Sequence, residues 1–283
     1  MSDVIYPSRD ASQRASLPAQ GFRSSQHWVR RSARSWLAVA ALGQLAFVLF
    51  ILAFYGVRTA VGDYAGWDDK PHIEAYTNGD FIGNLLYISH VLMAVIITLG
   101  GLHQLVPAIR TRWPVSHRLV GRVFVITAYF MAFSGLWLTW VRGSYLVPES
   151  AIPTTVNALL IIWFVTAAWF TAMRRSFASH QRWALRAFLA ANGVWFFRIG
   201  IMAWVLINQG PRGMNATLSG PADFALSIGS YTIPLLLLEL YFLAQSSSAA
   251  WFRRLTSTML FSATAVTALG VFGTVVFMWL PHV

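Results

Sequence analysis

Seven stretches of this chain stay apolar for some twenty residues, at about 36–56, 81–107, 119–141, 154–173, 184–208, 224–245 and 257–280. A helix needs about 20 mostly apolar residues to cross roughly 30 Å of hydrocarbon. Each stretch therefore predicts one membrane-spanning helix, and too little sequence remains between them for a soluble domain. The predicted fold is all-α: a polytopic membrane bundle of seven transmembrane helices. Residues 1–34 read as a basic tail and residues 35–283 as a single membrane domain with its core at about 81–208. Residues 1–24 are rich in Ser, Arg, Gln and Pro, which suits a flexible segment. Gln26 to Arg34 suits a short interfacial helix leading into the first span. The first apolar run follows a long polar tail, which predicts a retained anchor rather than a cleaved signal.

Composition agrees with the pattern. The 283 residues are 57% hydrophobic and 11% charged, where a soluble domain carries about 25% charged residues. The net charge of +11 suggests nucleic acid only until the charges are placed. Of 21 Lys and Arg residues, sixteen fall in alternate polar segments beginning with the N-terminal one, four fall in the others, and Arg198 lies within a span. Lys and Arg next to spans stay preferentially on the cytoplasmic side. The N-terminus is thus predicted inside and the C-terminus outside, with no nucleic-acid partner. Tryptophans recur at predicted span ends, among them Trp28, Trp36, Trp113, Trp140, Trp204, Trp251 and Trp279, as an interfacial aromatic belt requires. With no cysteine, thiolate metal sites, iron–sulfur clusters and disulfides are excluded. The outer segment Val57–Asp80 is acidic. Its expected state is solvated, the alternative being a cation site of Asp68, Asp69, His72 and Glu74.

Two polar stretches echo each other. V-S-H-R-L-V-G-R (Val115 to Arg122) and A-S-H-Q-R-W-A-L-R (Ala178 to Arg186) each set Ser-His and two arginines ahead of an apolar run. Both fall on the predicted cytoplasmic side, so His117 and His180 are expected at one depth of a four-helix bundle built from two similar hairpins. Arg118 with Arg122, and Arg182 with Arg186, are i,i+4 pairs suited to a phosphate or carboxylate. The bland alternative is that these arginines only obey the charge rule. Within the spans His90, Arg198 and Glu239 stand out, and Asn192 adds a neutral polar group. An Arg or Asp at a helix centre costs roughly 2.5–3.5 kcal/mol on insertion scales. His90 and Arg198 are each predicted roughly 13–15 Å below the outer surface, at about 1.5 Å per residue. Glu239 is set too near the inner end to reach Arg198 and is expected to meet an inner arginine or to carry protons. His90 reads first as a hydrogen-bonded packing residue.

His117-Arg118-x-x-Gly121-Arg122 followed by His180-x-Arg182-Trp183-x-x-Arg186 resembles an uncharacterised bacterial membrane family, a domain of unknown function of the DUF2306 type. His90, Gly100-Gly101-x-x-Gln104 and Arg198 in W-F-F-R match it too, over about residues 80–210. One departure is Ala184, where that family's second motif usually has Met. The resemblance implies a multi-pass protein of a bacterial inner membrane and a residue list, without an activity.

Three functions compete. One is haem-b or quinone-linked electron transfer, with His117, His180, His90 and His103 as candidate ligands. Arg118, Arg122, Arg182 and Arg186 would then meet the propionates. The second is a transporter or lipid-binding protein that captures an anion at the cytoplasmic face, with Arg198, His90, Glu239, Asn192 and Gln104 along its path. The third is an accessory subunit of a membrane complex. Arginines in this number repel a bare metal ion, so no metal site is predicted. Retinal is excluded because the only lysine, Lys70, lies outside the spans. No sequence feature establishes a reaction.

Overall fold

The structure, a computed structural model, describes residues 10–69, 74–144 and 148–283, and among these all regular structure is helical. Helix α1 (Asp10–Ile51) runs unbroken, so the stretch Gln26 to Arg34 continues into the first span instead of forming a separate helix. A π-helical turn (Leu52–Gly56), α2 (Val57–Val61) and a 3-10 turn (Ala65–Asp68) follow. Then come α3 (Phe81–Leu105), α4 (Pro107–Arg112), α5 (Pro114–Trp140), α6 (Pro148–Met173), α7 (Phe177–Ala191) and α8 (Gly193–Asn208). Helices α9 (Pro221–Ser246) and α10 (Ala250–Gly273) complete the bundle, α10 continuing through a π-helical turn, Thr274–Trp279.

Among the described residues, six helical segments are long and apolar enough to cross a membrane, and α7 with α8, bent by 55°, pass the same test when taken as one span, giving six to seven candidate crossings. The protein is a polytopic helical membrane bundle. Local signals start the helices where the sequence changes character. Asp80 caps α3 by accepting from the Gly83 N–H at 2.9 Å, and proline opens α4, α5 and α9, where a missing N–H costs nothing. Helices α3 and α5 form one hairpin and α6 and α7 another, joined by α5 against α6, while α1 and α8 pack on α10.

The break falls at a point that no proline marks. Pro234, the proline deepest in a predicted span, sits inside an unbroken α9, and the interruption is at Asn192–Gly193. Asn192 is buried, and both its backbone N–H and its side-chain amide turn back to the Phe188 carbonyl, at 3.3 and 2.8 Å. Gly193 lets Asn157 of α6 come close, its amide nitrogen 2.6 Å from where a Cβ would stand.

Two expectations at the outer end change. Trp279, assigned to the belt, is 2% exposed and stacks on Phe47 and Phe50, because the π-helical turn carries it inward. The described part of Val57–Asp80 is folded as a cap instead of freely solvated. Trp67 and Ala75 are buried, Asp68 accepts from the Ala75 and Tyr76 N–H groups at 2.6 and 3.1 Å, and Asp69 pairs with Arg58 at 3.0 Å. Arg142 clamps the cap, binding Asp80 at 3.0 Å, the Ala75 carbonyl at 3.1 Å and Asn84 at 2.7 Å. His72 of the suggested cation site lies outside the described residues. Among those described, no His, Asp and Glu group has the geometry to hold a metal.

Small residues set helix spacing, as expected where lipid offers no hydrophobic drive. Gly270 lets α10 meet the Ile199 backbone of α8, whose carbonyl oxygen a Cβ would strike. The paired glycines of α3 differ sharply: a Cβ on Gly101 would lie 2.6 Å from the buried Phe188 ring, one on Gly100 an ordinary 3.6 Å from Val120. Gly101→Ala should therefore cost about 1–3 kcal/mol through overpacking, while Gly100→Ala should be neutral or gain roughly 0.5–1 kcal/mol of helix propensity. Thermal unfolding of the two purified variants checks this, and equal melting temperatures would refute the assigned packing.

Candidate functional site

The basic end of the bundle, cytoplasmic by the charge rule, gathers histidines from three helices. His117 and His180 are each the fourth residue of their helix, α5 and α7, so the two motifs do share a register. His103 comes from the last turn of α3, and its Nε2 lies 3.0 Å from Ser116 Oγ. Gln104 donates from Nε2 to the His117 carbonyl at 2.9 Å and lies over Gly121, which binds the end of α3 to the start of α5. These contacts explain why Gly-Gly-x-x-Gln and His-Arg-x-x-Gly-Arg would occur together. His103, His180, Arg110 and Arg118 all lie within electrostatic reach of His117.

The ring nitrogens are unequally engaged. His180 Nδ1 lies 2.9 Å from the Ala168 carbonyl, which fixes Nδ1 as the protonated, donating nitrogen and leaves Nε2 as an acceptor. Nδ1 of His103 and Nδ1 of His117 are buried without a partner. Leaving such a group unsatisfied costs about 1–3 kcal/mol. Imidazoles and guanidiniums meet at this end, and among the described residues the groups that act electrostatically on His117 include no carboxylate.

The four arginines do not act together. Relative to its histidine, the first pair sits at i+1 and i+5 and the second at i+2 and i+6, a shift of about 100° around a helix. Arg118 and Arg122 stay exposed at the basic end. Arg182 and Arg186 turn to α9 instead. Arg182 lies 4.6 Å from the centre of the Phe242 ring, and Arg186 makes a two-pronged ion pair with Glu239, Nε to Oε1 at 2.7 Å and Nη2 to Oε2 at 2.9 Å. Glu239 thus meets an inner arginine.

The remaining polar residues lie elsewhere. His90, thirteen residues from His103 and so about 20 Å away along α3, has Nδ1 2.9 Å from Ser134 Oγ and packs against Gly135. It joins α3 to α5 as a hydrogen-bonded packing residue. Asn192 is spent on the helix break. Arg198 points toward α1, 5.3 Å from the centre of the Phe47 ring, and no carboxylate pairs with it among the described residues. Sequence reasoning missed Ser116 and Arg110 at the basic end, the Tyr55–Tyr87 hydroxyl contact at the outer end and the buried Gln44 of α1. Gln44 was legible as the one amide in the first apolar run.

Fold and site together define a multi-pass helical membrane protein with a histidine-lined basic mouth. The chain belongs to the family described as a predicted membrane protein (DUF2306), whose profile matches residues 87–240. That range takes in all three clustered histidines, Arg186 and Glu239. No curated protein and no solved structure matches the chain.

The Arg186–Glu239 pair joins α7 to α9, and both partners are partly exposed. Exposure discounts its strength, and a double-mutant cycle of Arg186→Gln with Glu239→Gln should return a coupling of about 1 kcal/mol in thermal stability. Additive single effects would show that the pair is not formed.

Proposed function

We propose that this is an anion-binding protein of a bacterial inner membrane, and that its cytoplasmic mouth receives a ligand through a phosphate or carboxylate group. The observation that carries this reading is the gathering of histidines from three helices at the basic end, His103 on Ser116 of α5, His117 and His180 at the same register of α5 and α7, with Arg110 and Arg118 within electrostatic reach of His117 and no carboxylate among the described groups acting on it. The charge rule accounts for arginines at this end but not for three histidines from three helices. Guanidinium forks suit the planar or tetrahedral oxygens of such a group, and imidazole N–H groups supply further donors.

A lipid headgroup and a soluble anion share this chemistry, and reconstitution separates them. Calorimetric titration with inorganic phosphate in neutral phosphatidylcholine nanodiscs tests the soluble ligand, and native mass spectrometry after mixing with phosphatidylglycerol tests the lipid. Arg118→Gln and His117→Ala should each weaken the ligand that binds at least tenfold, while Arg254→Ala, the same charge change outside the cluster, should leave it within twofold. A loss as large in Arg254→Ala would reduce the effect to net charge and sink the proposal.

A second reading, electron transfer through a b-type haem, is favoured by one contact. The Nδ1–H of His180 donates to a backbone carbonyl and frees Nε2, as ligating histidines usually do. His117 would be the opposite ligand, with Arg118 and Arg122 left for the propionates. A haem held there would carry single electrons. The fit is partial, because His103 is tied to Ser116 and His90 to Ser134, so neither completes a second pair. The absorbance spectrum decides. A Soret band that sharpens on reduction with dithionite and is lost in His180→Ala establishes this reading, and a colourless wild-type preparation removes it.

A further inference from the structure

We infer that one face of α1 is the binding site of a single anionic phospholipid from the leaflet at the basic end. Its phosphate sits among His27, Arg30, Arg31 and Arg34, and its acyl chains run down Ala38, Leu42 and Leu45. The site shares no residue with the basic mouth and does not depend on the function proposed for it.

Helix α1 has two unlike faces. Val29, Ser32 and Ala40 are buried, and Trp36 on the same side donates from Nε1 to Thr267 of α10 at 3.2 Å. On the other side His27, Arg31, Arg34, Ala38, Leu42 and Leu45 recur at helical spacing, and all six are exposed. One stripe thus passes from basic to small to apolar along its length. Arg30, also exposed, flanks its basic end.

The basic part of this stripe is a cleft. His27, Arg30, Arg31, Arg34, Ser35 and Ala38 line an open space of about 450 Å³. Ala38, at the apolar end, presents only a methyl group between Arg34 and Leu42. Among the described residues no carboxylate pairs with Arg30, Arg31 or Arg34. The helix is also held in place here. Trp28 meets Phe261 of α10 edge-on at 6.4 Å between ring centres, and Arg31 lies 5.3 Å from the centre of the Trp28 ring. Gln26 donates from Nε2 to the Gln245 carbonyl of α9 at 3.3 Å. Donors on a fixed surface lose little freedom when they bind.

Depth and charge select the ligand. Trp28 is 46% exposed, as a tryptophan at headgroup level is, so the guanidiniums beside it stand where lipid phosphates lie. Guanidinium forks grip phosphate oxygens in pairs, and basic clusters next to a span attract anionic lipids. A zwitterionic headgroup brings an ammonium group that three arginines repel. Leu45 lies eleven residues beyond Arg34, about 16 Å at 1.5 Å per residue. One leaflet of hydrocarbon is about 15 Å, half of roughly 30 Å. The exposed leucines therefore accompany the acyl chains through their own leaflet, a surface that a free phosphate ion does not use.

The test is native mass spectrometry of the full-length protein released from nanodiscs. It is run in an Arg118→Gln background, so that a lipid at the basic mouth does not enter the count. From an equal mixture of phosphatidylglycerol and phosphatidylethanolamine, the protein should retain one phosphatidylglycerol with at least tenfold preference. Arg30→Gln, Arg31→Gln and Arg34→Gln together should abolish the preference. The same charge change at the exposed Arg174, Arg175 and Arg254 should leave it within twofold. Ala38→Phe fills the cleft with every charge in place and should weaken retention at least fivefold, with an unchanged melting temperature in pure phosphatidylcholine. Arginines beside a span also orient the chain, and Ala38→Phe keeps the test decisive if the triple variant misassembles. Equal retention of the two lipids, unchanged retention in Ala38→Phe, or an equal loss in the control triple variant overturns the site. Displacement of the lipid by millimolar inorganic phosphate marks a soluble-anion site and overturns it as well.

Discussion

Hydrocarbon supplies no hydrogen bonds, so each polar group carried into the bilayer must be answered from within the protein or lie at an end where water and headgroups reach it. Most of this structure follows from that constraint. Backbone groups are satisfied by helices, the charged residues collect at the two ends, and side-chain hydroxyls within the spans turn back on their own helices, as Thr166 does on the Ile162 carbonyl at 2.6 Å. Where an ionisable pair does enter, it is bidentate, as Arg186 with Glu239 is. The groups that stand out are those for which the chain supplies no answer.

The bent crossing lets one span serve both ends. Up to Ala191, α7 holds to α6 through His180 and to α9 through Arg186, and so belongs to the basic mouth. Beyond the 55° bend, α8 lies against α10 at Gly270 and against α1, where the Trp195 indole donates to the Gly43 carbonyl at 3.3 Å. Half of the crossing thus positions the histidine cluster and the other half positions Arg198. A straight helix could not make both sets of contacts. Broken spans occur where membrane proteins build binding sites, and here the basic mouth lies on one side of the break.

What the sequence revealed depended on range. Apolar length is a local property, and it located the six long helices and the bent pair; the arginine count predicts their sidedness. The shared register of His117 and His180 was also local, since both follow from the distance to a helix start. The fate of the arginines was not. Their offset from the histidines can be counted, yet only the position of α9 turns that offset into an ion pair for Arg186 and exposure for Arg118. Asn192 failed for a related reason. A proline advertises a break by its chemistry, and Pro234 makes none, whereas the helix breaks at Asn192–Gly193, where Asn157 of a neighbouring helix packs against the glycine. Trp279 had the sequence position of a belt residue, but a π-helical turn moved it into the core.

The described carboxylates are spent largely on architecture. Asp63 and Asp69 are held by Arg58, Asp80 by Arg142 and Glu239 by Arg186. Asp68 and Asp223 are turned to backbone N–H groups, Asp223 to those of Asn215 and Gly220, both at 3.1 Å. These six acids hold loops and helices together, and among the described residues no ion pair joins any of them to Arg118, Arg122 or Arg198.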